Sequence, residues 1–180
     1  MTPPSGPVML PARLSAEELA AAIGRTPDEV RLALQAIGED SGADQVLGAR
    51  TAIDIAARLG VTATVEARDL ALETLYEYET RGEIESEPGG RAGAMVAGVL
   101  SDLDELDELI ESVSEHWSVA RMPLIDRNIL RLGLYELRSE QTTPTAVIVA
   151  EAVRLAQTYS TERSPSFVNG ILATLARSIR

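Results

Sequence analysis

The chain has 180 residues, which is enough for one good hydrophobic core or two small ones. Only 3% of the residues are aromatic and none is cysteine, which excludes disulfides, thiolate metal sites and cysteine nucleophiles. The formal net charge of −12 argues against an evenly basic nucleic-acid-binding surface. Small aliphatic side chains favour an all-α fold, and the lack of a signal peptide or an apolar span of ~20 residues predicts a cytoplasmic protein.

Acidic and basic residues are segregated along the chain. Residues 1–63 contain five Arg against eight acidic residues, a net −3, and residues 64–118 contain three against 15, a net −12. Residues 119–180 contain eight Arg against five acidic residues, a net +3. The last third is therefore the part of the chain best suited to contact an anion.

The N-terminal third divides into a leader and a helical extension. Residues 1–12 are rich in proline and show no periodic pattern, which predicts a disordered leader. In residues 13–63, Ser15 and Glu18 form the sequence of a capping box, and the helix that they start ends at Gly24. Thr26 then caps a second helix, which begins with Pro27. The tight turn between the two predicts a helix-turn-helix outline.

Such an outline raises the possibility of DNA binding, in which the second helix contacts phosphates or bases. That helix offers a single candidate for these contacts, Arg31, and the segment around it is net acidic. Packing or contact with another protein is therefore the preferred interpretation of residues 13–63.

Residues 64–180 predict a compact bundle of about five helices. A first helix covers residues 65–79, and a second has apolar residues at alternating steps of four and three, from Val99 to Trp117, opposite an acidic face. The later helices begin at Pro123, Pro144 and Ser164. Their apolar stripes place further side chains in the core, among them Val149, Val153, Ala156, Phe167, Ile171, Leu172 and Leu175.

Enzymatic chemistry finds little support in the sequence, which predicts no enzyme and no cofactor. The only histidine, His116, stands on a strongly acidic helix, where a helix-end or interface role is favoured over that of a base. Carboxylate metal sites need oxygens that converge from a loop or from facing helices, and there is no EF-hand loop. Gly89, Gly90 and Gly93 lack the Lys of a phosphate-binding loop.

Several separated blocks of residues resemble the NusB family in order and approximate spacing. The first block is the helix start at residues 67–76, with Arg68 and Tyr76. The second has Trp117, then the run Asp126-Arg127-Asn128-Ile129-Leu130-Arg131. The third contains residues 151–156 and continues to Ser164-Pro165-Ser166-Phe167-Val168-Asn169-Gly170. The resemblance covers about residues 65–180 and does not extend to residues 1–63.

The resemblance implies an all-helical, non-enzymatic transcription antitermination factor. Such a factor binds the boxA RNA element during transcription of ribosomal RNA operons, together with the small-subunit ribosomal protein NusE, in the transcription elongation complex. The residues expected to contact RNA are Arg68, Arg127, Arg131, Arg163, Ser164, Ser166 and Asn169. Phe167 has two interpretations, core residue or platform for a base, and the core is favoured.

Within the same resemblance, some positions differ from the family pattern. Thr64, Val65 and Glu66 stand where the family usually has an arginine-rich run, so that only Arg68 matches. Arg163 replaces a residue that is commonly acidic, at a helix start that already favours an anion.

Three questions stay open at this level. Ser164 could cap its helix or bind phosphate, and Arg127 and Arg131 could contact RNA or pair with the acidic helix. The whole domain could also be a protein-interaction module that has lost RNA binding and uses its acidic helix to contact a basic partner. A further alternative is an accessory domain to RNA modification.

Overall fold

A computed structural model of the protein describes residues 6–39, 42, 45–114 and 117–179. The chain divides into two compact units, Met1–Glu73 and Thr74–Arg180. The predicted domain boundary, between residues 63 and 64, precedes this division by ten residues.

The first unit contains short helices and very short strands. In chain order these are β1 (Val8–Leu10), β2 (Leu14–Ser15), α1 (Ala16–Ile23), α2 (Pro27–Gln35), β3 (Val46–Leu47), α3 (Ala49–Arg58), β4 (Ala63–Val65) and the beginning of α4 (Ala67–Arg81). Both predicted helix starts are confirmed. Ser15 and Glu18 form a complete capping box at α1, and Thr26 and Glu29 form another at α2.

The prediction of a disordered leader over residues 1–12 is wrong for part of that segment. Strand β1 pairs in parallel with β4, and Val8 lies opposite Ala63 while Leu10 lies opposite Val65. Leu10 is only 3% exposed, so burial of an apolar side chain and ladder hydrogen bonds fix a segment that proline content alone leaves undefined. Residues 1–5 of the predicted leader lie outside the described residues.

The first unit has its own hydrophobic core. Its buried residues come from all three short helices and from the strands; the largest of them are Leu19, Ile23, Leu34, Leu47 and Ile55. Glu73 of α4 accepts a hydrogen bond of 2.8 Å from the backbone N–H of Ala49, the first residue of α3. The N-cap residue of α3, Gly48, has no side chain to do this, so Glu73 supplies the missing cap.

The second unit consists of helices joined by short connections. These are the remainder of α4, α5 (Gly90–Ser101), α6 (Leu103–Val113), a 3-10 turn (Val119–Arg121), α7 (Leu124–Ser139), α8 (Thr145–Tyr159) and α9 (Ser164–Ile179). The predicted all-α fold is confirmed. Among the described residues, no helix combines the length and apolar character that crossing a membrane requires.

The long regular helix predicted around residues 99–117 is two helices. The chain leaves the helical conformation at Asp102, between α5 and α6, and α6 ends at Val113. Val99, Leu106 and Ile110 are buried as predicted, whereas Trp117 follows the end of α6 and is 54% exposed. The periodic pattern predicted the buried face correctly but could not show where the backbone turns.

Helix α7 is the most deeply buried helix of the unit, since α8 and α9 pack on it together with α5 and α6. In α8 the predicted Ala156 is buried. Val149 and Val153 are only half-buried, and the residues before them, Ile148 and Ala152, are buried instead, together with Leu155. In α9 the predicted core residues Ile171, Leu172 and Leu175 are buried, but Val168 is buried in place of its neighbour Phe167, which is half-buried.

Candidate nucleic-acid interface

Arg131 is held in a network of carboxylates inside the helical bundle. Its Nε and Nη2 atoms donate to Oδ1 and Oδ2 of Asp107, both at 2.7 Å, and its Nη1 donates to Oε1 of Glu79 at 2.8 Å. The residue is 5% exposed. Burial by itself lowers the pKa of Arg131, but the hydrogen bonds to Asp107 and Glu79 outweigh it and raise the pKa above its ordinary value.

Arg127 belongs to the same network. Its Nε donates to both oxygens of Glu79, at 2.9 and 3.1 Å, and Asn128 adds a third donor to that carboxylate at 2.8 Å. Burial alone raises the pKa of Glu79, but hydrogen bonds from Arg127 and Arg131 reverse the effect and hold it below the ordinary value of 4.5. The sequence left two roles open for Arg127 and Arg131, contact with RNA and ion pairing with acidic residues. In the structure both residues form ion pairs with Glu79.

Arg68 lies in the first unit and has little access to solvent. It is 7% exposed, and its Nη1 lies 3.4 Å from Oε1 of Glu66. The backbone N–H of Arg68 also donates to Glu66, at 2.7 Å. Glu66 thus stands where the family usually has an arginine-rich run, and its carboxylate partly neutralises Arg68, the arginine that does match.

Ser164 is buried beside another carboxylate. Its hydroxyl donates to Oδ2 of Asp126 at 2.8 Å, and the hydroxyls of Ser160 and Thr161 lie 2.9 and 2.8 Å from it. Ser160 donates to the other oxygen of Asp126 at 2.5 Å. A hydroxyl engaged in this way stabilises the start of α9 against α7, and an incoming phosphate would have to break these bonds.

Arg163 differs from the other predicted cations. It is exposed at the beginning of α9 and forms no ion pair with any residue in the described part of the chain. It lies on the rim of a cleft of about 320 Å³, which Trp117, Phe167, Met122 and Pro123 also line. An unpaired guanidinium beside the exposed ring of Trp117 and the half-buried ring of Phe167 is a combination suited to single-stranded nucleic acid, because phosphates meet the charge and bases stack on aromatic rings.

Ser166 and Asn169 are exposed on the same helix, α9, but they line different depressions. Ser166 lies with Arg163 and Phe167 in a shallow concavity at the helix start. Asn169 lines a groove between α8 and α9. The structure therefore brings Arg163 and Ser166 together and leaves Asn169 in a separate depression.

Two other residues were singled out in the sequence, Arg31 and His116. Arg31 of α2 pairs with Glu17 at 3.1 Å and with Asp28 at 3.2 Å, so the best candidate for a DNA contact is already neutralised. His116 lies outside the described residues.

Comparison with known proteins identifies the second unit and the helix that leads into it. A sequence model described as the NusB family matches residues 65–177, which is more than half of the chain. The chain belongs to the NusB family. The family assignment made from the ordered sequence blocks is thereby confirmed, and residues 1–64 fall outside the matched range.

Curated NusB proteins of bacteria are similar over nearly their whole length. Transcription antitermination protein NusB of Clavibacter michiganensis is 39% identical over 133 residues, which cover 64% of this chain and 97% of the relative. The protein of the same name from Acidothermus cellulolyticus is 42% identical over 125 residues, covering 63% of this chain and 86% of the relative.

Solved NusB structures share the fold. NusB of T. maritima has a TM-score of 0.56 and 34% identity, and the match covers 62% of this chain and 88% of that one. A chain in the crystal structure of antitermination factors NusB and NusE in complex with dsRNA has a TM-score of 0.53 and 28% identity, covering 62% and 94%.

Sequence reasoning on this NusB-family protein did not include Trp117 among the candidate contacts. It assigned the residue to a buried seam because the apolar spacing continued that far. The position of Trp117 in the sequence could have indicated its exposure. It stands between the end of one acidic helix and the start of the next, and side chains in connections usually lie at the surface.

Proposed function

We propose that this protein is a transcription antitermination factor that binds boxA-type RNA together with the ribosomal protein NusE during transcription of ribosomal RNA, as part of the elongation complex. The names of its relatives support the process, and a similar NusB chain has been solved with NusE and dsRNA. The observation that carries RNA binding for this chain is the exposed, unpaired Arg163 on the rim of the cleft lined by Trp117 and Phe167.

The proposed RNA surface is centred on the beginning of α9. Arg163 and Ser166 contact phosphates, and Phe167 and Trp117 stack against unpaired bases, which favours single-stranded RNA over a duplex. Asn169 and Arg68 are secondary candidates, because Asn169 lines another groove and Arg68 is nearly buried. Arg127, Arg131 and Ser164 act on RNA indirectly, by holding α7 and α9 in place.

NusE is expected to contribute to RNA binding. A chain with a net charge of −12 and one unpaired arginine at the cleft binds a polyanion weakly by itself. A joint surface with NusE would provide further contacts to the RNA and so raise the affinity. We therefore expect tight RNA binding only when both proteins are present.

The test is a titration of labelled boxA RNA at low and high salt, with and without NusE. Arg163→Ala should weaken binding several-fold and reduce the slope of log affinity against log salt by about 0.7, the value for one lost phosphate contact on a single strand. The matched control is Arg81→Ala, which removes the same charge from a residue that is 57% exposed and lies outside the cleft. Equal affinities of the two variants would contradict the assignment of Arg163.

The second candidate function is a protein-interaction module of the same fold without RNA binding. It is favoured by the neutralisation of Arg127 and Arg131 and by the burial of Arg68. The same titration separates the two: binding of NusE with no RNA affinity at either salt concentration would support the module and overturn the main proposal.

A further inference from the structure

The strongest surface feature not used by the proposed function is an open groove between α8 and α9, with a volume of about 760 Å³. Its residues are mostly small and apolar. The full lining is Thr145, Ala146, Val149, Ala150, Val153, Asn169, Ala173, Ala176 and Arg177. The sequence predicted that Val149 and Val153 are core residues, yet both are only half-buried and line the groove.

The groove has a positively charged end. Helix α8 begins at Thr145 and has no acidic residue in its first turn, so the positive end of its dipole lies at this end of the groove without a carboxylate of that turn. Because the connection between α8 and α9 is short, the two helices run antiparallel, and the end of α9 with Arg177 lies beside the start of α8. Arg177 is exposed and forms no ion pair with the described residues, and the groove lining includes no acidic residue.

These features favour a protein helix over a nucleic acid as the occupant. A single-stranded nucleic acid needs cations for its phosphates and aromatic rings for its bases, whereas this groove offers one arginine, no aromatic residue in its lining and an apolar floor. Alanines on both helices allow another helix to approach closely, and Val149 and Val153 give it apolar contacts on the α8 side. From Thr145 to Val153 the groove follows α8 for roughly 12 Å, or about two turns of a bound helix.

A second copy of this chain does not provide such an occupant. Its acidic helix, α6, carries the required carboxylates, but Leu106 and Ile110 on the apolar face of that helix are fully buried. That face would have to leave its own core before it could enter the groove.

We infer that the groove between α8 and α9 binds an amphipathic helix of another protein, antiparallel to α8, with a carboxylate in its last turn beside Arg177. In this orientation the negative end of the partner's dipole meets the positive end of α8, and its acidic side chain pairs with Arg177. The groove is separate from the proposed RNA surface in its lining residues, apart from Asn169, a secondary RNA candidate.

The test uses the full chain and a phage-displayed library of helical peptides of about 14 residues. One face of each peptide is fixed as Ala and Leu, and the last turn is randomised. We expect the protein to select Asp or Glu in the last turn and the Arg177→Glu variant to select Lys or Arg. A selected peptide should then bind the unmodified protein about tenfold more tightly than its Glu→Lys counterpart, as measured by fluorescence anisotropy.

Ala150→Glu places a larger, charged side chain on the groove floor and should abolish binding of the selected peptide. Gln157→Glu is the matched control, since it adds the same charge to an exposed position of α8 outside the groove and should leave binding unchanged. The Arg177→Glu selection provides an independent test if Ala150→Glu disturbs the fold. Three results would overturn the inference. The selected peptides could show no preference for Asp or Glu, the peptide could still bind a folded Ala150→Glu variant, or the free protein could form a dimer that Ala150→Glu dissociates.

Discussion

Arg131 on α7 binds Asp107 on α6 through two parallel hydrogen bonds, from Nε to Oδ1 and from Nη2 to Oδ2, and each is 2.7 Å long. This fork geometry fits a carboxylate in one orientation only, so the pair fixes the position of α6 along α7. The third bond of the guanidinium, to Glu79 on α4, connects another helix to the same point. An arginine expected to contact RNA thus organises the helical bundle.

Arg131→Ala should lower the free energy of unfolding by about 3–5 kcal/mol, because it leaves the partly buried Asp107 without its partner and removes one of the three side chains that donate to Glu79. Arg138→Ala provides the comparison, since Arg138 also pairs with α6, through Glu105 at 2.9 Å, but Glu105 is 59% exposed. That exposed pair should contribute about 0–1 kcal/mol. Urea unfolding of both variants would measure the difference, and similar losses would show that the buried network has no special role.

The same network should make stability depend on pH. The folded state holds the pKa of Glu79 below 4.5, so the unfolded state binds the proton more readily. The stabilisation is therefore complete above about pH 4.5 and is lost as the pH falls through the lowered pKa of the folded state.

Glu79→Gln removes this titration and isolates it from that of other carboxylates. The variant should unfold at lower urea concentration than the unmodified protein at neutral pH, and the gap should narrow as the solution is acidified. A gap that stays constant between about pH 6 and pH 3 would contradict the role given to Glu79.

Two glycines inside helices should respond to alanine in opposite directions. A Cβ atom on Gly98 of α5 would overlap Cε2 and Cζ of Tyr135, so the aromatic ring would have to move. A Cβ atom on Gly170 of α9 would meet nothing within 4 Å. We expect Gly98→Ala to destabilise the protein by about 1–3 kcal/mol and Gly170→Ala to stabilise it by roughly 0.5–1 kcal/mol through helix propensity. Thermal unfolding monitored by circular dichroism measures both, and a stabilising Gly98→Ala would show that Tyr135 does not depend on this close approach.

Two serines at the beginning of α9 are expected to have different roles, one in stability and the other in RNA binding. Ser164→Ala removes a buried donor to Asp126 and should cost about 1–3 kcal/mol of stability. Ser166→Ala changes an exposed residue, so we expect stability within about 0.5 kcal/mol of the unmodified protein and a modest loss of boxA RNA affinity. Unfolding curves and RNA titrations on the same samples would test both assignments. If Ser164→Ala kept full stability but lost RNA affinity, the roles of the two serines would be reversed.

Local sequence determined much of the fold. The helix starts at Ser15 and Thr26 were predictable because a capping box needs only residues three positions apart. The all-α class followed from composition and periodicity, and the family followed from ordered blocks such as Asp126 to Arg131. These signals are contained in short stretches of chain, so no tertiary contact is needed to recognise them.

Tertiary structure decided which cations remain free to bind a ligand. Arg127 and Arg131 meet Glu79 across separations of 48 and 52 residues, and no local pattern shows which acidic residue will lie beside which arginine. Packing also placed Trp117 in solvent, because α6 ends at Val113, and left Val149 and Val153 half-buried beside an open groove, because Ile148 and Ala152 face the core instead. The sequence alone therefore supplied the candidate arginines, and the long-range ion pairs left Arg163 as the exposed one at the cleft.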